Sequence, residues 1–135
     1  MTHAVGIDIV QVQRFNEWGS WSDQKLGRIF SVTEIAYAKQ NALFTAQRFA
    51  VRFAAKEAFF KAFQQLYPEK KISLLMVMSS VFVAKKKFGQ PYLVIEHEKL
   101  LSVPLKINLS LSHSACCATA VVQLQLHNDD DPLIQ

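Results

Sequence analysis

The longest helical pattern in the chain, from residue 45 to residue 66, constrains the fold more than any other segment. Phe49, Phe53, Phe60 and Phe63 recur at spacings of four, seven and three, which places them on one helical face. Alanines between them permit close packing on a sheet, and Pro68 marks the end of the helix. About 20 helical residues extend roughly 30 Å, which is enough to span a small domain. The pattern therefore predicts one central helix.

Apolar, β-branched runs on both sides of this helix predict strands. Residues 5–10 form one such run, and residues 75–84, 92–96, 107–112 and 118–126 form four more. Residues 89–91, Gly-Gln-Pro, predict a turn of hairpin type. Strands before and after a helical stretch favour an α+β fold with a largely antiparallel sheet.

Between the first strand and the central helix the pattern is one of short, broken helices. Ser31-Val32-Thr33-Glu34 fits a capping box at the start of a helix that includes Ile35 and Tyr37. No Gly/Ser/Pro-rich linker divides the 135 residues, half of which are hydrophobic. We therefore expect a single domain over residues 1–126 and a disordered acidic tail over residues 127–135.

The charge distribution predicts an anionic partner. The chain has 15 basic and 11 acidic side chains, and three of the acids are Asp129, Asp130 and Asp131, so residues 1–128 carry a net charge of +7. This charge alone leaves nucleic acid, a phosphorylated small molecule, an acidic protein and anionic lipid open as partners. Cys116 and Cys117 are adjacent, a spacing that suits neither a loop-closing disulfide nor a metal site. Without an apolar stretch of membrane-spanning length, the chain is expected to be a cytoplasmic protein that does not enter a membrane.

One acidic side chain lies within an otherwise apolar strand. Asp8 would be costly to bury unless it is paired or coordinated. On the central helix, Glu57 and Lys61 share a face because they are four residues apart, and a second row with this spacing consists of Arg48, Arg52 and Lys56. Mg²⁺ takes one or two protein carboxylates and completes its shell with water and phosphate oxygens, which Asp8 and Glu57 would suit. The alternatives are an Asp8 that caps backbone amides or pairs with an arginine, and a solvated Glu57/Lys61 ion pair.

Two motifs about fifty residues apart resemble the paired signature of the 4'-phosphopantetheinyl transferases. The first is VGIDIV at residues 5–10, followed by Arg14-Phe15, and the second is RFAAKEAFFKAF at residues 52–63. The segments Gly89-Gln90-Pro91-Tyr92 and NLSLSHS at residues 108–114 resemble later parts of the family. The similarity covers the chain to about residue 126, and the match is best to the short, holo-(acyl carrier protein) synthase type.

The resemblance implies transfer of the 4'-phosphopantetheine group of coenzyme A to a serine of apo acyl carrier protein. Adenosine 3',5'-bisphosphate would be released, Mg²⁺ would bridge the pyrophosphate, and the pathway would be fatty acid biosynthesis. It further implies the fold of that family and a homotrimer with active sites at subunit boundaries, where Arg52 and His113 would meet the metal site of a neighbouring chain.

Residue by residue, the resemblance assigns three groups of side chains. Asp8 and Glu57 fall on metal ligands, and Lys61 falls on the motif lysine beside the pyrophosphate. Chemistry then makes Glu57 and Lys61 the catalytic candidates, with Glu57 as base, directly or through a metal-bound water, and Lys61 to stabilise or protonate the departing phosphate. The positions that correspond to coenzyme A contacts are Arg52, Lys56, Lys61, Ser112 and His113. Those that correspond to a basic surface for the carrier protein are Arg14, Lys25 and Arg28. The chain departs from the family where residues 64–68 replace a glycine-rich turn and where Gln90 replaces a lysine.

Two other classes of function compete with this interpretation. A nucleic-acid-binding domain would use the run Lys85-Lys86-Lys87 and the basic helix, but phenylalanines on one helical face indicate core packing and not base stacking. We therefore expect no nucleic-acid partner. A noncatalytic basic module that binds acidic proteins would have no use for the acidic Asp8 in its central strand.

Overall fold

The computed structural model describes residues 2–97, 100 and 105–127. The described strands are β1 (His3–Gln11), β2 (Val81–Lys85), β3 (Pro91–Ile95), β4 (Leu105–His113) and β5 (Cys117–Leu126). The described α-helices are α1 (Asp23–Leu26), α2 (Val32–Lys39), α3 (Thr45–Leu66) and α4 (Leu74–Met78). Single turns of 3-10 helix lie at Val12–Phe15, Trp18–Ser20 and Ala42–Phe44.

A three-stranded antiparallel sheet in the order β1-β5-β4 supports the long helix α3 on its inner face. Strands β2 and β3 form a separate antiparallel hairpin, and Gly89 takes a positive φ of 85° in its turn. The predicted α+β architecture, with a central helix on an antiparallel sheet, is confirmed. None of the described helices combines the length and the hydrophobicity needed to cross a bilayer.

Strand β1 alternates strictly between buried and exposed side chains. Ala4, Gly6, Asp8 and Val10 point inward, toward α3. A Cβ atom at Gly6 would lie 1.8 Å from the carbonyl oxygen of Ala58, so only glycine allows the two backbones to approach this closely. This close crossing brings the next inward residue of β1, Asp8, against the helix.

The structure corrects two details of the predicted elements. Residues 75–84 were expected to form one strand, but α4 occupies the first part, where the Ser73 hydroxyl accepts a hydrogen bond from the Met76 amide. On α3, Phe60 is only half-buried, and Phe59 is fully buried in its place.

The predicted capping box is confirmed, because Ser31 and Glu34 exchange side-chain-to-backbone bonds at 3.0 and 3.1 Å. Apart from His127, the predicted acidic tail lies outside the described residues.

Candidate active site

Asp8, Glu57 and Lys61 form an acidic centre where β1 crosses α3. The Lys61 Nζ donates to Asp8 Oδ1 at 3.1 Å and to the Ile7 carbonyl oxygen at 3.0 Å. Asp8 is only 7% exposed, whereas the Lys61 side chain is 50% exposed. The ammonium group of Lys61 is thus anchored on β1 while half of the side chain faces solvent.

Glu57 lies close enough to Asp8 for the two carboxylates to affect each other. Partial burial and then the neighbouring Asp8 carboxylate raise the pKa of Glu57, while Lys61 and Arg14 oppose this rise. A carboxyl group with a raised pKa is a better proton acceptor than an ordinary surface glutamate. The structure therefore brings together the three residues that the two sequence motifs contribute.

The acidic centre offers carboxylate oxygens that suit a hard cation. Asp8 Oδ2 is buried and has no hydrogen-bond partner within the part of the chain that the structure describes. The described residues contain no cluster of three or more His, Cys, Asp or Glu side chains that could enclose a metal. Mg²⁺ needs only one or two carboxylates when water and substrate phosphate supply the remaining oxygens, so this donor set fits Mg²⁺.

A second group of functional side chains lines a cavity of about 420 Å³, which we call the anion cavity. Four of its lining residues carry basic groups, and none of its lining residues is acidic. The residues that the argument uses are Tyr37, Arg48, Arg52, Lys85 and His113. A cavity of this composition suits a ligand with an aromatic ring and phosphate groups.

Tyr37 is the centre around which the cations of the anion cavity are arranged. The Lys85 Nζ is 2.6 Å from the Tyr37 hydroxyl, and Arg48 donates to the Tyr37 carbonyl oxygen at 2.7 Å. The guanidinium carbons of Arg48 and Arg52 lie 4.1 and 4.5 Å from the centre of the Tyr37 ring. The hydrogen bond from Lys85 lowers the pKa of Tyr37, although burial acts in the opposite direction.

Arg52 is the least exposed cation of this cavity. It is 6% exposed, and its Nε is buried without a hydrogen-bond partner among the described residues. Burial lowers the pKa of Arg52, and Glu34 and Tyr37 oppose the shift. An unpaired guanidinium donor beside a cavity is a strong binding group for a phosphate oxygen.

The acidic centre and the anion cavity lie on different sides of α3. Five residues separate Arg52 from Glu57, which corresponds to a rotation of about 140° around the helix axis. Across the sheet, Asp8 on β1 and Leu111 on β4 both pair with Ala120 on β5, so two strand spacings, about 10 Å, separate them. Leu111 lines the anion cavity. One chain therefore presents the two groups to different parts of its surroundings.

Lys56, a predicted coenzyme A contact, does not line the anion cavity of its own chain. Lys56 is fully buried and donates to Glu34 Oε1 at 2.9 Å, to the Met78 carbonyl oxygen at 3.1 Å and to the Ile29 carbonyl oxygen. These three bonds use all the protons of its ammonium group. Burial lowers the pKa of Lys56 to about 8, against the raising effect of Glu34. Lys56 is thus part of the core.

Ser112 also does not reach the anion cavity of its own chain. Leu111 and His113 line the cavity, and the intervening Ser112 points to the opposite face of β4 because side chains alternate along a strand. Of the predicted coenzyme A contacts, Arg52 and His113 thus line the cavity and Ser112 does not.

The predicted carrier-protein surface consists of three exposed cations. Arg14, Lys25 and Arg28 are all exposed and lie between β1 and α2, with Arg14 in a turn of 3-10 helix, Lys25 on α1 and Arg28 in the turn after α1. The Arg14 guanidinium carbon lies 4.7 Å from the centre of the Phe53 ring, and the Lys25 Nζ lies 3.7 Å from the centre of the Trp21 ring. Arg14 additionally lies near enough to Glu57 to lower the pKa of that carboxyl group.

Sequence reasoning did not identify Tyr37, Arg48 and Lys85 as site residues. Arg48 belonged to a recognised basic row and Lys85 to a recognised lysine run, yet neither pattern indicates which residues face a common cavity. The nearest available signal was the position of Lys85 just before the predicted turn at Gly89. Tyr37 had no such signal.

With this geometry in place, comparison with known proteins decides the family. Residues 4–120 match the profile of the 4'-phosphopantetheinyl transferase superfamily. The chain belongs to this superfamily. A "Holo-[acyl-carrier-protein] synthase" of Treponema denticola is 35% identical over 130 residues, which cover 93% of this chain and 99% of the relative. A second synthase, from Syntrophus aciditrophicus, is 34% identical, with 93% and 97% coverage.

Solved structures of such transferases have the same fold. An ACPS-CoA complex of Chronobacterium ammoniagenes superimposes with a TM-score of 0.79 at 29% identity, over 95% of this chain and all of that chain. A holo-[acyl-carrier-protein] synthase of Helicobacter pylori in complex with coenzyme A gives a TM-score of 0.66 at 30% identity, with 87% and 96% coverage. The predictions of the family and of an enzyme of the phosphopantetheinyl transferase class are confirmed.

Proposed function

We propose that the chain transfers the 4'-phosphopantetheine group of coenzyme A to a serine of apo acyl carrier protein and releases adenosine 3',5'-bisphosphate. The observation that carries the proposal is the acidic centre, in which Asp8 keeps a buried oxygen without a hydrogen-bond partner in the described part of the chain. An unpaired buried acceptor beside Glu57 and Lys61 suits phosphoryl transfer at a metal-bound pyrophosphate. The named relatives support this choice of substrate.

In this proposal Asp8 and Glu57 hold Mg²⁺, which when bound would neutralise charge on the pyrophosphate oxygens. The serine oxygen forms a bond to the phosphorus that carries the pantetheine arm. The bond from that phosphorus to the bridging oxygen of the pyrophosphate breaks, and this oxygen leaves with adenosine 3',5'-bisphosphate. Glu57 accepts the serine proton, a role that its raised pKa favours. Lys61, which the Ile7 carbonyl holds in place, stabilises the departing phosphate.

The anion cavity is the proposed site for the adenosine bisphosphate part of coenzyme A. Arg52, through its unpaired Nε, and His113 would bind phosphate oxygens, and Arg48 and Lys85 would add positive charge. Tyr37 would offer an aromatic surface to the adenine. Two of the structural neighbours are complexes with coenzyme A, which supports a nucleotide site in this fold.

We further propose a homotrimer in which the anion cavity of one chain meets the acidic centre of the next. Support comes from the separation of the two groups on different sides of α3, because each chain then supplies half of two sites. The three central outward side chains of β1 are apolar and exposed, with Val5 at 52%, Ile7 at 61% and Ile9 at 68%. Such a patch on a strand is suited to burial against another copy.

The acidic carrier protein would bind the surface formed by Arg14, Lys25 and Arg28, beside the acidic centre. All three cations are exposed, and Arg14 is close enough to Glu57 to affect its pKa. The reaction would belong to fatty acid biosynthesis in the cytoplasm.

The activity is tested by comparing Glu57→Gln with wild type in a reaction that contains coenzyme A, Mg²⁺ and apo carrier protein. We expect Glu57→Gln to lower turnover by about 100-fold or more, because it removes the base and one metal ligand. Glu17→Gln, a change at an exposed glutamate, is the matched control and should retain wild-type turnover and Mg²⁺ dependence.

Full turnover of Glu57→Gln with unchanged Mg²⁺ dependence would contradict the assignment of the acidic centre. Tight binding of the carrier without any transfer by the wild-type protein would favour the alternative, a noncatalytic basic module.

A further inference from the structure

The ion pair between Glu34 and Lys56 is the most deeply buried pair of charges that the structure describes. The Lys56 and Glu34 side chains are 0% and 1% exposed, and Lys56 Nζ lies 2.9 Å from Glu34 Oε1. Removing two charges from water costs so much that a buried pair is often no more stabilising than apolar side chains of similar size. Stability alone therefore gives little reason for charges at this position.

The pair connects four elements through hydrogen bonds. Glu34 Oε1 accepts from the Ser31 amide at the start of α2, and Glu34 Oε2 accepts from the Val83 amide of β2 at 3.0 Å. Lys56, on α3, donates to the Met78 carbonyl oxygen at the end of α4. All these bonds are directional, so they fix how α2, α4 and β2 sit on α3.

Three of these elements supply walls of the anion cavity. Tyr37 lies on α2, one helical turn after Glu34, and Arg52 lies on α3, one helical turn before Lys56. On β2, Val83 both lines the cavity and donates its amide to Glu34, and Lys85 follows two residues later on the same face of the strand. Neither Glu34 nor Lys56 lines the cavity itself.

We propose that Glu34 and Lys56 are positioning residues for coenzyme A, which hold the walls of the anion cavity in register without touching the ligand. The proposal rests on the proposed role of this cavity in binding the adenosine bisphosphate part. The 2.6 Å contact between Lys85 and Tyr37 joins β2 to α2 and depends on that register. A shift of about 1 Å between the walls can weaken productive binding by orders of magnitude.

The first test is the double variant Glu34→Leu/Lys56→Met, which replaces the charges with apolar side chains of similar volume. We expect a folded protein, because such replacements of buried pairs are often tolerated. The KM for coenzyme A should rise about tenfold or more, while kcat at saturating coenzyme A and the Mg²⁺ dependence stay close to wild type. Calorimetric titration with adenosine 3',5'-bisphosphate should show the same loss of affinity without any carrier protein.

Phe63→Leu is the control for a general loss of stability. Phe63 is buried on α3, packs against Phe59 and does not line the cavity. It should lower the melting temperature and leave the KM for coenzyme A unchanged. A folded double variant with wild-type KM and wild-type affinity for the bisphosphate would overturn the proposal. Failure of the wild-type protein to bind the bisphosphate would instead overturn the proposed function of the cavity.

A second pair of variants decides the question if the double variant does not fold. Glu34→Gln keeps the shape of the side chain but turns an amide donor toward the Lys56 ammonium or the Val83 amide, which are themselves donors. Ser31→Ala removes only the hydroxyl that caps α2. Glu34→Gln should raise the KM for coenzyme A more than Ser31→Ala does. Equal KM values for these two variants would also overturn the positioning role.

Discussion

Asp8 shows how one side chain acquires a role from the strand around it. It points inward because β1 alternates between buried and exposed residues, and it meets α3 because Gly6 lets the two backbones approach. Lys61 satisfies one of its oxygens and leaves the other buried without a partner in the described residues. The chemistry of this residue therefore depends on a glycine two positions earlier.

Tyr37 should ionise at lower pH than Tyr67. The hydrogen bond from Lys85 lowers the pKa of Tyr37 below its ordinary value of 10.0, whereas burial raises the pKa of Tyr67. In an alkaline titration followed by tyrosinate absorbance, Tyr37→Phe should remove a transition that lies below the ordinary tyrosine range, and Lys85→Met should move that transition to higher pH.

The same shift gives the sign of a stability effect. The pKa of Tyr37 is lower in the folded state than in the unfolded state. Between these two pKa values, unfolded chains therefore hold more protons than folded chains, and folding becomes more favourable as pH rises. Wild type should gain stability relative to Tyr37→Phe above the unfolded-state pKa and lose that gain as pH falls through the folded-state pKa. A difference in unfolding free energy that does not change with pH up to and beyond 10 would contradict this account.

At the scale of elements, the crossing of β1 and α3 is the junction on which the acidic centre depends. Gly6→Ala would place a methyl group 1.8 Å from the Ala58 carbonyl oxygen, so the strand and the helix must move apart. We expect a loss of at least about 3 kcal/mol in unfolding free energy, measured by urea denaturation, together with loss of transfer activity.

Gly19→Ala is the matched control for this change. Its new Cβ would lie 3.1 Å from the Thr45 Cγ2 atom, which can move by side-chain rotation, so the expected change is within about 1 kcal/mol. Equal stability of the two variants would show that the close crossing is not a constraint.

The elements also show what could be predicted from the sequence. Helix α3 was predictable to its ends because phenylalanine periodicity and Pro68 marked them, whereas the run Leu74–Met78 has too little periodicity to separate a short helix from a strand. In the site, the spacing of Glu57 and Lys61 indicated a shared face correctly. The same spacing between Arg52 and Lys56 could not show that α2 and β2 cover Lys56 and bury it.

At the scale of the whole molecule, six of the basic side chains of residues 1–128 lie on two separate surfaces. Arg48, Arg52 and Lys85 surround the anion cavity, and the second surface carries Arg14, Lys25 and Arg28. The acidic centre and the anion cavity lie on different sides of α3. In the proposed trimer, the acidic centre of one chain and the anion cavity of its neighbour would together form each active site.

Ile9→Lys tests the trimer. A lysine among the exposed apolar residues of β1 should convert the assembly to monomers in sedimentation and abolish most transfer activity, because half of each site is then missing. Leu75→Lys places the same charge at another exposed apolar position, which is 64% exposed on α4, and should change neither property. A wild-type protein that sediments only as a fully active monomer would contradict the shared site.

The most direct test of the whole account is the intact mass of apo acyl carrier protein after incubation with the wild-type chain, coenzyme A and Mg²⁺. We expect the carrier to gain the mass of one phosphopantetheine, with one adenosine 3',5'-bisphosphate released for each carrier modified. Removal of Mg²⁺ by a chelator should stop both. An unchanged carrier mass, with every carrier protein tried and under conditions in which a known transferase modifies the same carrier, would contradict the account.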